Sequence, residues 1–118
     1  MDNIERSAGM VHGLLAARAE EIRGTWPTAE SGSSRGARSA TVWLSATGAA
    51  GDWTTNLLVT MERTEMPGYA VEAVVRDDEG NVISVASARV GPELLFALAE
   101  TFALAGIRAL NEEIASRE

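Results

Sequence analysis

The chain predicts an α+β fold: an N-terminal helix, a four-stranded antiparallel meander and a C-terminal helix packed on one sheet face. Three observations carry this expectation. Apolar residues recur at spacings of three and four at both ends of the chain. Between them, segments alternate apolar and polar residues with the period of a half-buried strand. Gly, Pro and Asp-rich turns separate those segments. At 118 residues the chain has the size of one domain, divided into a helix 2–23, a flexible Ser/Gly connector 24–39, a sheet 40–90 and a helix 92–117.

The first helix is capped by Asp2 or Asn3, and Ile4, Ala8, Val11, Leu15, Ala19 and Ile22 form one narrow apolar stripe along it. Beside the stripe lie Gly9, Gly13 and Ala17. Glycine inside a helix costs about 1 kcal/mol relative to alanine. Two on one face mark either a close approach by another backbone or a marginal helix. Gly24, Trp26 and Pro27 end the element, and 31–39 is Ser/Gly-rich without periodicity, which is the composition of a flexible connector.

In the segment 41–47, Val42, Leu44 and Ala46 alternate with Trp43, Ser45 and Thr47. A turn at Gly48 to Gly51 leads into 53–64, where Leu57, Val59 and Met61 share a face. Segment 69–76 aligns Val71, Ala73 and Val75. Asp77, Asp78, Glu79, Gly80 and Asn81 form a tight hairpin; pairing Asp77 with Asn81 sets Val75 opposite Ile83 and Ala73 opposite Val85. At Pro67 and Gly68, a two-residue turn would pair Arg63 with Glu72 but bring Met61 opposite Val74, on the wrong face. A three-residue loop keeps Met61, Val59 and Val75 together. Burying an apolar face outweighs one exposed ion pair, worth about 0–1 kcal/mol, so the longer loop is expected.

The final helix starts with Pro92 and Glu93, suited to a helix N-terminus. Leu95, Leu98, Phe102, Ala105 and Ala109 form one stripe, and Phe96, Ala99, Ala103, Ile107, Leu110 and Ile114 a second. Leu104 interrupts the polar side. A helix on a sheet needs an apolar arc of little more than ~100°, and this arc is wider. The surplus is expected to meet the first helix or another chain. With the helix laid over Val59, Val75, Ile83 and Val85, the opposite sheet face keeps Trp43, Leu58, Val74, Val82 and Ala86, apolar enough to want cover.

Composition narrows the chemistry. Cys is absent, which excludes disulfides, thiolate metal sites and Cys nucleophiles, and His12 is the single histidine. All ten basic residues are Arg, against seventeen acidic ones, for a net charge of −7. That balance argues against non-specific binding of a polyanion. The N-terminus lacks the order of a signal peptide, and the longest apolar run, 94–99, is far short of the ~20 residues of a membrane span. A soluble, cytoplasmic protein is expected, with no membrane partner. The Asp77, Asp78, Glu79 run has turn composition without calcium-loop spacing, and there is no nucleophile elbow or phosphate loop. No catalytic residue, cofactor or metal site is therefore assigned.

The segment 69–110, two strands with an acidic Gly hairpin running into an Ala-rich helix, is similar to the second half of a double-stranded-RNA-binding domain. The resemblance implies a helix–meander–helix topology and an RNA-binding surface. That family carries basic residues at the start of its final helix, where this chain has Pro92, Glu93, Leu94 and Leu95.

The leading expectation is a small non-enzymatic interaction or assembly module, a homo-oligomer and first of all a dimer. Phe96, Leu104, Ile107, Leu110, Gly9 and Gly13 are its candidate interface residues, together with the second sheet face. The alternatives are a nucleic-acid-binding or regulatory protein using Arg35 and Arg38, and a small-molecule-binding domain with a cavity under the C-terminal helix.

Overall fold

The computed structural model describes residues 3–23, 28–48, 50–65 and 68–117. Helix α1 (Asn3–Arg23) is followed by strands β1 (Thr28–Arg35), β2 (Ser39–Thr47), β3 (Thr54–Arg63), β4 (Tyr69–Asp77) and β5 (Val82–Val90), then helix α2 (Leu95–Ser116) after a short 3-10 turn at Pro92–Leu94. The strands form one antiparallel sheet in chain order. The α+β class and the helix–meander–helix order are those expected. The sites read as helix breaks at Gly24, Trp26 and Pro27, and the Asp2 cap, lie outside the described residues.

The sheet has five strands rather than four, because part of the segment read as a connector pairs along the edge of β2. β1 has little apolar side chain to announce it. Ala29 is buried opposite Ala46, while Ser31 and Ser33 oppose Leu44 and Val42. Gly32 sits under the Trp43 indole: an added Cβ would lie 2.5 Å from the ring. Backbone pairing and one covering aromatic make this strand, which side-chain pattern alone does not signal.

β2, β3 and β4 bury every second residue, so Val42, Leu44, Leu57, Val59, Met61, Val71 and Val75 share one face. The β3–β4 loop is the longer one expected: the Thr64 amide donates to the Gly68 carbonyl at 3.1 Å, which leaves three positions between them and sets Met61 opposite Val71. At the β4–β5 hairpin Val75 faces Ile83, and the Asp77 amide donates to the Asn81 carbonyl at 3.0 Å. A register shift between Ala73 and Val74 then sets Ala73 opposite Ala86 instead of Val85. This bulge moves Ala86 to the helix-covered face, a correction to its expected place on the other side.

Both helices lie on the same face. Leu44 and Leu57 are register partners on this face; α1 packs over β1 and β2, and α2 approaches Leu57 closely at Gly106. The helices run in the same direction side by side. Arg6 of α1 stacks 4.9 Å from the Phe96 ring near the start of α2, and further along Arg18 donates to the Asn111 Oδ1 at 2.8 and 3.2 Å. Part of the apolar surplus of α2 therefore meets α1 within the chain, while Leu104 stays exposed. α2 buries Leu95, Ala99, Phe102, Ala103, Gly106, Leu110 and Ile114, a line running between the two expected stripes. It covers β3 and β4 more fully than β5, so Ile83 stays 50% exposed.

Candidate interaction surface

The six candidate interface residues fall in different environments. Leu110 is fully buried in the chain's own core and Ile107 is packed against that core. Phe96 is partly exposed beneath Arg6, and Leu104 stands 52% exposed on the outer side of α2. Gly9 and Gly13 face solvent, and a Cβ added at either would meet nothing within 4 Å. His12 lies on the same exposed side of α1. Arg35 and Arg38 are not brought together. Arg35 pairs with Glu5 of α1 at 3.7 Å, whereas Arg38 donates to the Thr64 carbonyl at 3.4 Å. Arg38 also lines a concavity of about 500 Å³ with Arg63, Arg89, Glu62 and Glu65. Small Ala70, between Glu62 and Arg89 in one cross-strand row, leaves the floor of this concavity open. Three guanidiniums face two carboxylates there, so the site is only weakly positive.

Because both helices occupy one face, the other face of the sheet is bare among the described residues. Its middle row is Gly32, Trp43, Leu58 and Val74, aligned in register across β1 to β4. The side chains of Trp43, Leu58 and Val74 are half-buried. Polar rows flank it, Thr41 and Thr60 with oxygens 3.3 Å apart on one side and Ser45 and Asn56 on the other, with Thr47 and Thr54, oxygens 3.2 Å apart, one row beyond. On β4 the exposed Glu72 and Arg76 stand on either side of Val74. Neither has an ion-pair partner among the described residues. Sequence reasoning passed over this pair, although the period of two places both on the outer face.

The two ends of the sheet differ in charge. At one end lie Arg38, Arg63 and Arg89, with Pro92 at the start of α2 bordering them. At the other are the exposed Asp52, Asp78 and Glu79 of the β2–β3 and β4–β5 connections. There Asp77 organises the hairpin. Its Oδ1 accepts from the amides of Asn81 (2.8 Å) and Glu79 (3.0 Å), and its Oδ2 from the Asn81 amide group (2.8 Å) and the Arg117 guanidinium (3.0 Å). The Asn81 side-chain hydrogen bond, the backbone bonds and the Arg117 charge hold the Asp77 carboxyl below its usual 3.8 against partial burial. A carboxyl depressed on folding stabilises the native state above its unfolded pKa, and that contribution is lost as pH falls through the folded value. Asp77→Asn is therefore expected to be less stable than the parent at neutral pH. The gap in urea midpoint should close as pH drops below 3.8. A gap that stays constant with pH would show that the charge contributes nothing.

Among the described residues no group of three or more His, Asp or Glu side chains could hold a metal ion, and no helix is long and apolar enough to cross a membrane. Nor is space left between helix and sheet at Gly106, where α2 rests on Leu57. No family model matches the chain, and no curated protein or solved structure matches it.

Proposed function

We propose that the protein is a small non-enzymatic interaction module that self-associates as a homodimer through the bare face of its sheet. The observation that supports this is the in-register row Trp43, Leu58 and Val74, left uncovered because both helices pack on the opposite side. An antiparallel sheet tolerates one wet face when that face is polar. Here its centre is apolar, and a Trp at the middle of a flat surface has the character of an interface anchor. Five strands at ~4.8 Å spacing and about nine residues of ~3.3 Å rise give roughly 700 Å² of sheet, close to the ~800 Å² each partner contributes to a standard interface. The cysteine-free composition fits a reducing compartment such as the cytoplasm.

Sedimentation equilibrium at micromolar concentration is expected to give a dimer. Leu58→Asp is expected to give a folded monomer, since a carboxylate at the centre of the contact would be desolvated without a partner. A parent chain that sediments as a monomer throughout that range overturns the reading.

A further inference from the structure

We propose that the second copy stacks on this face with its ends reversed, about a two-fold axis crossing β4 at Val74, so that Glu72 of each copy faces Arg76 of the partner subunit. The inference rests on the self-association just described and adds its geometry.

The argument starts from symmetry. An isologous contact uses the same patch on both copies, so any charge on it must meet its complement across the axis. Val74 lies in the middle row of the bare face, and Glu72 and Arg76 occupy β4 in the rows immediately on either side. A two-fold running across the strands through the middle row lays β4 on β4 and exchanges those two rows. Both exposed charges then gain partners of opposite sign. The same rotation lays the weakly positive end of one copy, where Arg38, Arg63 and Arg89 stand with Glu62 and Glu65, over the acidic Asp52, Asp78 and Glu79 end of the other. A two-fold running along the strands instead sets the acidic Asp52, Asp78 and Glu79 end on itself and gives Glu72 and Arg76 no complement. Strand directions stay nearly aligned in the first arrangement, as in face-packed sheets, which cross at about 30°. Charge thus selects between two arrangements that bury the same apolar row, because like-charge juxtaposition across an interface costs several kcal/mol.

The test uses the full-length chain and exploits the pairing directly. Glu72→Arg places two arginines opposite each other twice in the dimer, and Arg76→Glu does the same with carboxylates. Each variant alone is expected to self-associate about a hundredfold more weakly than the parent. Mixed in equal amounts, the two restore every pairing, and a heterodimer of near-parental affinity is expected in sedimentation velocity. Overall charge does not explain this pattern. Glu72→Arg replaces −1 by +1 and brings the net charge from −7 to −5, which on its own would favour association. Glu112→Arg, on the exposed side of α2, makes the same change and is expected to leave the dimer intact. Both β4 positions are exposed, and circular dichroism of each variant verifies the fold. If the single variants dimerise like the parent while Leu58→Asp does not, the face stands and the orientation falls. Single variants that stay monomeric when mixed overturn the orientation too, and a monomeric parent overturns both.

Discussion

Gly106→Val is expected to lower stability by about 3 kcal/mol, near the upper end of what overpacking costs. Glycine in a helix interior is a poor choice on propensity alone, and valine there would gain a few tenths of a kcal/mol. Gly106 is tolerated because α2 crosses β3 at this point. A Cβ would lie 2.5 Å from one Leu57 methyl and 3.1 Å from the other. Leu57 is itself fully buried, in register between Leu44 and Val75, so it has no space to swing into. The added methyls would lift α2 off the sheet or force Leu57 from its rotamer. For a chain of this length the melting temperature should fall by roughly 10 °C. Gly13→Ala is the matched control: nothing lies within 4 Å of the new Cβ, so the helix should gain about 0.5–1 kcal/mol. Thermal unfolding by circular dichroism reads both. A Gly106→Val protein as stable as the parent would mean that α2 does not rest on Leu57.

The opposite behaviour expected of Gly106 and Gly13 shows what was legible in the sequence and what was not. Strand periodicity placed Val42, Leu44, Leu57, Val59, Met61, Val71 and Val75 on one face, and the hairpin composition set Val75 opposite Ile83. These are local patterns, and burial enforces them. The two glycines of α1 mark either a close backbone approach or a marginal helix, and nothing within the chain approaches them, while Gly106, the helix glycine in close contact, carries no local mark within the stripes of α2. A glycine's surroundings are tertiary information. The same limit applies to β1, whose strand character comes from its partner β2, and to the bulge that moves Ala86 across the sheet. The bare face was half legible. Trp43, Leu58 and Val74 were read as facing away from α2, but nothing local says that α1 would join α2 on the other side. The complementarity of Glu72 and Arg76 becomes visible only once the register identifies Val74 as part of the middle row.

Leu15→Ala is expected to cost about 2–5 kcal/mol and to release α1 before the rest of the domain. The buried apolar stripe of α1 consists of Ile4, Ala8, Val11, Leu15, Ala19 and Ile22, three of which are only alanine or valine, with Met10 and Leu14 partly buried against the core beside them. Leu15 is the largest fully buried side chain in the central turns, and α1 packs over the β1–β2 half of the sheet that carries the buried Val42 and Leu44. Gly9 and Gly13 lower the intrinsic stability of this helix by about 1 kcal/mol each relative to alanine, so its own propensity cannot hold it in place. Losing the leucine leaves a cavity under a helix already weak, and local opening becomes the easiest response. Two readouts separate this from general destabilisation. Denaturant unfolding should show the lower midpoint, and amide exchange should quicken across α1 and β1 while β3 and β4, covered by α2, keep their protection longest. Uniformly faster exchange would place α1 within a single cooperative unit instead. A loss below about 1 kcal/mol would mean that Leu15 fills no packed site, contrary to its complete burial.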